Sequence, residues 1–128
     1  MKTTNRELLN KVSVLNTITQ KQLPVKVSYA IAKNINTINK ELSILEDEKQ
    51  KLIKEYALKD EHGNPQTEGV NFKFPNKEKE NECNEKYNEL LDIEVEIELK
   101  SIQSEELFKS TIDFSPAELM QLDFMIND

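Results

Sequence analysis

The stretch VKVSYAIAKNINTINKELSILEDEKQKLIKEYAL, residues 25–58, determines the architecture of this chain. Residues at alternating steps of four and three form a seam along it, and all but one of them are apolar: Ile31, Ile35, Ile38, Leu42, Leu45, Lys49, Leu52 and Tyr56. This heptad pattern is typical of an α-helix that packs lengthwise against another helix. A helix over residues 25–58 would be roughly 50 Å long at about 1.5 Å per residue. Its seam needs a cover, which another helix of the chain, a second copy or a different protein could supply.

Two capping boxes mark the starts of further helices. Thr4 and Glu7 have the spacing that satisfies the free amides of a first helical turn, so we predict a helix from there to about residue 19. Ser115 and Glu118 repeat the spacing, with Pro116 at the first helical position, and open a short C-terminal helix.

The middle of the chain predicts two strands and an acidic helix. After a turn at residues 59–69, VNFKF (70–74) and DIEVEIELK (92–100) alternate apolar and polar side chains as strands do. The polar residues 76–91 between them predict a helix with a thin apolar stripe. The order of elements predicts a mainly α protein with a minor β part, in a single helical-hairpin domain over residues 1–128. It would consist of a long helical hairpin, a small two-stranded β element and the short C-terminal helix.

The composition favours a soluble intracellular protein with a modest core. The 128 residues suffice for one domain, and 37% of them are apolar while 32% are charged. Cys83 is the single cysteine, which excludes an internal disulfide. No apolar run approaches the roughly 18 residues of a membrane span, and the first ten residues lack the apolar centre of a signal peptide.

Charge is distributed unevenly along the chain. Residues 1–59 hold 11 Lys and Arg against 6 Asp and Glu, a net charge of +5, whereas residues 60–128 hold 6 Lys against 18 acids, a net charge of −12. The total of −7 argues against direct nucleic-acid binding, which needs clustered cations to displace counterions. The two halves could neutralise each other in the fold, or the acidic half could present a surface to a basic partner.

A row of acids within residues 92–100 is the first candidate site. In a strand, Asp92, Glu94, Glu96 and Glu98 point to one face at intervals of about 6.6 Å. Carboxylates that act as an acid–base pair need unlike environments, whereas acids on one wet face share similar surroundings. The Asp- and Gly-rich loop of a calcium site is also missing. We interpret the row as a solvated strand face, with an acidic docking edge for a protein as the main alternative to it.

The other reactive residues form no catalytic pattern in the sequence. His62 lies in a turn without the neighbouring Cys or His of a zinc site. Cys83 lies on the apolar stripe of the helix over residues 76–91, as expected of a small buried side chain. The chain contains no phosphate-binding loop, dinucleotide fingerprint or zinc motif. The sequence therefore predicts a protein that is not an enzyme and that holds no cofactor and no metal ion.

The C-terminal helix is apolar on nearly all sides. Its sequence is AELMQLDFMI, and a helix of this kind must be buried. It either closes the end of the domain's own core or docks against another subunit, where Met and Phe side chains are favoured. In the second case Met120, Phe124 and Met125 are the candidate partner-binding residues.

A resemblance to a known family runs through three stretches of the chain: LPVKVSYAIAKNI (23–35), KEYALKDEHGNP (54–65) and SPAELMQLDFMI (115–126). In this order they resemble a family of short phage and prophage proteins, domain-of-unknown-function family 1617, over most of the chain. The resemblance implies an origin in a bacteriophage or prophage of a low-GC Gram-positive host, and a location in the host cytoplasm or the virion. The family offers no catalytic residues to transfer.

Together these observations lead us to expect a non-catalytic phage protein that acts through protein–protein contacts, in a structural or assembly role in the particle. The alternative is an acidic inhibitor of a host defence or nucleic-acid-processing complex, in which the acidic strand and helix stand in for phosphate charge. The partner would be a phage structural protein or a host protein. The long seam also makes a homodimer one of the expected states, and we expect no direct contact with nucleic acid or membrane.

Overall fold

The computed structural model describes residues 1–108 and 114–127 and confirms a mainly α fold with a minor β part. The helices are α1 (Asn5–Ile18), α2 (Val25–Tyr56), α3 (Lys77–Leu91), α4 (Ser104–Phe108) and α5 (Pro116–Leu122), which a 3-10 turn (Asp123–Met125) follows. The strands are β1 (Lys2–Thr4), β2 (Thr67–Glu68), β3 (Asn71–Phe72), β4 (Glu94–Glu96), β5 (Ile102–Gln103) and β6 (Ile126–Asn127).

Capping side chains set the starts of the helices at the places that the sequence predicts. The Thr4 hydroxyl accepts a hydrogen bond from the Glu7 amide at 3.2 Å, and the Glu7 carboxylate accepts one from the Thr3 hydroxyl at 2.6 Å. At the start of α3, Asn76 Oδ1 accepts from the Lys79 amide at 2.8 Å. The bonds to Thr4 and Asn76 satisfy amides that have no partner within the first helical turn, whereas the Glu7 carboxylate, which the sequence predicts to bind an amide, accepts from the Thr3 hydroxyl.

The minor β part consists of three separate two-stranded sheets in the described residues, not of one element. β1 pairs with β4 and β2 with β3, both antiparallel, whereas β5 and β6 are parallel. The strands predicted over residues 70–74 and 92–100 are therefore too long. Each ladder extends only as far as its short partner strand, because a strand needs a neighbour for its backbone hydrogen bonds.

Internal contacts divide the chain into two compact units, and α2 contributes residues to both. Unit 1 comprises Met1–Leu42 and Glu94–Asp128, and unit 2 comprises Ser43–Ile93. The single domain over residues 1–128 stays a prediction.

Unit 1 packs α1, the first part of α2 and the C-terminal elements around one apolar core. The side chains with almost no exposure are Leu8, Leu15, Ile18, Val27, Ile31, Ile38, Leu107, Leu122 and Met125. Burial of each such aliphatic side chain contributes about 1.5–3 kcal/mol. Leu122 and Met125 show that the C-terminal segment closes the core of its own chain. This segment is α-helical only as far as Leu122, and the 3-10 turn then leads to Ile126 and Asn127, which pair with β5.

In unit 2, α3 packs against the second part of α2 as the predicted hairpin. The apolar stripe of α3 faces inward, with Cys83 and Leu91 buried. The Lys49 ammonium lies 5.6 Å from the centroid of the Tyr87 ring. This cation–π contact explains how a lysine occupies a position of the apolar seam.

The chain itself covers the seam of α2. In unit 1, Ile31 and Ile38 are buried and Leu42 is half-buried; in unit 2, Leu45 and Tyr56 are buried. The sequence allows the seam to be covered by the same chain, by a second copy or by a different protein. In the structure, elements of the same chain cover most of the seam. A bare seam is no longer a reason to expect a homodimer.

Candidate functional site

The C-terminal helix α5 is held firmly at its start. The Ser115 hydroxyl accepts from the Glu118 amide at 3.2 Å, and the Ser115 amide donates to Glu118 Oε1 at 2.9 Å, so the predicted capping box is present. The bond from the Ser115 backbone, together with the Lys21 ammonium at 3.5 Å, lowers the pKa of the Glu118 carboxyl. Buried Leu122 fixes the other end of α5 in the core. This anchoring determines which residues the helix presents to solvent.

The three predicted partner-binding residues of this segment have different surroundings. Met120 is 77% exposed and Phe124 is half-buried, whereas Met125 is 2% exposed. Met125 lies in the core of unit 1, where its sulfur is 3.6 Å from Asn34 Nδ2. Met125 is therefore a core residue and is not accessible to a partner.

Met120 and Phe124 line an open groove between α1 and α5, with a volume of about 430 Å³. Val14 adds an apolar side chain from α1, and the Lys11 ammonium lies 5.2 Å from the centroid of the Phe124 ring. Asp123 also lines the groove. We call this groove, with Met120 at its side, the Met120 surface. It offers an apolar strip bordered by charges of both signs, as a protein interface does.

The acidic row is exposed, as the alternation predicts. Glu94, Glu96 and Glu98 in unit 1 face solvent, while Ile97 between them is buried. Asp92 is also exposed, but it caps the C-terminus of α3 in unit 2. Because β4 comprises only Glu94–Glu96, Asp92 and Glu98 lie outside the strand, and the prediction that all four acids share one strand is wrong. In the antiparallel pair of β1 and β4, Glu96 lies opposite Lys2.

Histidine and cysteine occupy opposite environments within unit 2. The His62 side chain is exposed in the turn, with its Nε2 3.6 Å from a Glu61 oxygen. Cys83 is buried, and this burial, with a smaller effect of Glu55, raises the pKa of its thiol. A thiol with a raised pKa is a poor nucleophile at neutral pH. Across residues 1–108 and 114–127, no group of three or more His, Cys, Asp or Glu side chains is arranged to hold a metal ion.

Sequence reasoning missed a second groove in unit 1, beside Tyr29. The groove has a volume of about 420 Å³, and Val25, Tyr29 and Ala30 of α2 line it together with Lys100 and Ile102. Lys100 comes from a segment distant in sequence, so no local pattern could reveal the groove. The one sequence feature that points to a long-range contact here is Asn34, a polar residue one turn after Ala30 on the buried face of α2.

Asn34 holds the far wall of this groove in place. Its Oδ1 accepts from the Lys100 amide at 2.7 Å, and its Nδ2 donates to the Lys100 carbonyl oxygen at 2.8 Å. The side chain is 1% exposed. The pair of bonds fixes the backbone of Lys100 against α2, next to the start of β5.

Unit 2 carries an apolar groove of its own, with a volume of about 540 Å³. Phe72, Phe74 and Tyr87 line it, and Cys83 also contributes to its wall. Val70, at the turn between β2 and β3, adds an almost fully exposed side chain.

The sequence matches no protein-family model, and no curated protein or solved structure shows significant similarity to it. The resemblance to domain-of-unknown-function family 1617, and the phage origin that it implies, therefore stay predictions. In the part of the chain that the structure describes, no helix has both the length and the apolar character needed to cross a bilayer.

Proposed function

We propose that this protein is a non-catalytic phage protein that acts through protein–protein contacts, in a structural or assembly role in the phage particle. The observation that carries the proposal is the Met120 surface. Met120 extends into water from a helix whose two ends are fixed by the Ser115 cap and by buried Leu122. A large apolar side chain on a rigid element loses little conformational freedom on binding, so it is well suited to anchor a partner.

The test is affinity capture from phage-infected cells with the tagged protein as bait, followed by mass spectrometry. We expect a phage structural protein. Met120→Glu should reduce its recovery at least about tenfold, because a carboxylate must lose its hydration to enter an apolar contact, and this loss is costly. Ala117→Glu is the matched control: Ala117 is exposed on the same helix but does not line the groove.

Recovery of the partner at equal levels with both variants would contradict the Met120 surface as the binding site. Failure to recover any particle protein, from cells in which the phage assembles, would contradict the assembly role.

The second candidate function is an acidic inhibitor of a host defence or nucleic-acid-processing complex. The exposed row of Glu94, Glu96 and Glu98 favours it, since these carboxylates present a repeated negative charge to solvent. In that case the captured protein would be a host complex with a basic surface. Its binding would weaken with salt and with Glu94→Gln plus Glu98→Gln, and it would be insensitive to Met120→Glu.

A further inference from the structure

The groove beside Tyr29, which we call the Tyr29 groove, leaves a continuous apolar strip in water. Val25 is 86% exposed and Tyr29 is 55% exposed, one turn apart on α2. Ala30 and Ile102 are buried and complete the groove behind them. Exposed apolar surface of this kind on a soluble protein usually marks an interface.

Lysines surround this apolar strip. The ammonium groups of Lys33 and Lys100 each lie 5.5 Å from the centroid of the Tyr29 ring, and Lys33 Nζ donates to the Tyr29 hydroxyl at 3.4 Å. Lys26 and Glu106 also line the groove, where they form an ion pair at 3.8 Å and offset each other's charge, so Lys33 and Lys100 supply its positive charge. The first turn of α2 contains no acid, so the positive end of the helix dipole adds to the charge of these lysines. An occupant of the groove should therefore carry carboxylates.

The acidic row of the same chain leads directly to this groove. Exposed and covered side chains alternate along the segment: Glu94, Glu96, Glu98 and Lys100 are exposed, whereas Val95, Ile97 and Leu99 are buried or half-buried. The row and the groove lysine thus lie on the exposed side of one continuous segment of unit 1, in which Lys100 follows Glu98 by two positions. This face has an acidic end and a basic, apolar end.

We infer that the occupant of the Tyr29 groove is the acidic row of a second copy of this chain. A face with two complementary ends can pair with itself about a two-fold axis, so that each groove receives the partner's row. The CH₂ groups of the glutamates would cover Val25 and Tyr29 while their carboxylates meet the lysines. The inference rests on the proposed protein-binding function, names a second copy as one of the partners, and does not involve the Met120 surface.

Nucleic acid fits this face less well than a second copy does. Three lysines are few for phosphate binding, and the adjoining row of glutamates repels a phosphate backbone.

The first measurement is the mass of the full chain in solution, by sedimentation or light scattering, at concentrations up to about 500 µM. We expect twice the chain mass of 14.9 kDa at the upper end. The dissociation constant should be on the order of 10 µM, because a small polar interface gives weak association. About 1 M salt should weaken the dimer at least about tenfold, since it reduces the Debye length to about 3 Å.

A charge exchange then tests the assigned surfaces. One variant carries Lys33→Glu and Lys100→Glu, and the other carries Glu94→Lys and Glu98→Lys, which leaves the contact between Glu96 and the Met1 amino group intact. Each variant alone should be monomeric, because groove and row then have the same sign. An equimolar mixture should form a dimer, since both of its contacts again join opposite charges.

A control variant with Lys54→Glu and Lys73→Glu makes the same change in net charge as Lys33→Glu plus Lys100→Glu, but at exposed positions of unit 2. This control should still dimerise. Circular dichroism spectra that match the wild type would show that each variant is folded.

A wild-type chain that stays monomeric at about 500 µM would overturn the inference, as would a dimer that survives Lys33→Glu plus Lys100→Glu, or a mixture that does not dimerise. Binding of an oligothymidylate through Lys33 and Lys100, with the protein monomeric, would assign the face to nucleic acid instead. A monomer that still captures a particle protein through Met120 would leave the proposed function intact. A dimer without such capture would support the inference alone.

Discussion

Asn34 is the residue whose replacement tests the packing of unit 1 most directly. Asn34→Ala removes the two bonds to the Lys100 backbone and leaves its amide and carbonyl without their partner. Each lost bond costs about 1 kcal/mol, and each polar group left buried costs about 1–3 kcal/mol. Lys100 is itself an exposed residue, so water can replace part of this loss. We therefore expect the free energy of unfolding to fall by about 2–3 kcal/mol.

Asn34→Asp adds a pH dependence with a defined sign. The ionised carboxylate can still accept from the Lys100 amide, but it faces the Lys100 carbonyl oxygen at the position where Asn34 Nδ2 now donates at 2.8 Å. Protonation restores a donor there, so the folded state should raise the pKa of the introduced carboxyl above its ordinary value of about 3.9. The loss of stability relative to wild type is then full at neutral pH and shrinks as the pH falls through the folded-state pKa.

Urea unfolding followed by circular dichroism, at neutral pH and at about pH 4 for wild type and both variants, measures these differences. Hydrogen exchange of the Lys100 amide gives the local result: the bond to Asn34 should protect the amide in the wild type, and the amide should exchange freely in Asn34→Ala. A loss below about 0.5 kcal/mol in Asn34→Ala would refute the reasoning, because that is the range of ordinary surface substitutions. An Asn34→Asp deficit that does not change with pH would refute the assignment of the donor.

Three further predictions concern the rest of the chain. Leu45→Ala should lower the free energy of unfolding by about 2–4 kcal/mol because the Leu45 side chain is buried. Ile44→Ala, at an exposed position, should change it by less than about 0.5 kcal/mol, and equal effects in chemical denaturation would mean that the seam is not packed. Replacement of Glu96 and Glu98 by Gln should change stability by less than about half a kcal/mol, and calcium or magnesium should not raise the melting temperature; a metal-dependent shift would contradict the solvated face. Cys83 should react with Ellman's reagent at pH 8 at least about tenfold more slowly in the native protein than in denaturant, since burial raises the pKa of its thiol. Equal rates would show that the thiol is accessible.

Helices α1, α2, α3 and α5 could be predicted from the sequence because their signals are local, whereas the five-residue α4 was not predicted. Thr4, Asn76 and Ser115 act within four residues of themselves, and the seam of α2 is a regular spacing within one element. The strands could not be bounded in this way. β1 is three residues long and pairs with a segment more than ninety positions away, and so short a strand has no periodicity of its own.

The accessible surfaces were predicted only in part, for the same reason. The exposure of Glu94 follows from alternation along one strand, which the sequence displays. The burial of Met125 and the exposure of Met120 depend on how α5 meets α1 and on the turn that ends the helix at Leu122. The Tyr29 groove requires Lys100 to reach α2, and this contact is made by the Asn34 side chain and by the Tyr29 ring, both distant from Lys100 in sequence.

Unit 1 is discontinuous along the chain, and this has a consequence for the order in which the protein folds. Unit 2 is one continuous segment, so its hairpin can form from contacts close in sequence, which are the fastest to form. The core of unit 1 needs residues on both sides of that segment, and non-local contacts form late. During synthesis, the side chains of α1 that pack against α5 stay without their final cover until residues 116–122 have left the ribosome. α1 is therefore the segment on which a chaperone would act in the nascent chain.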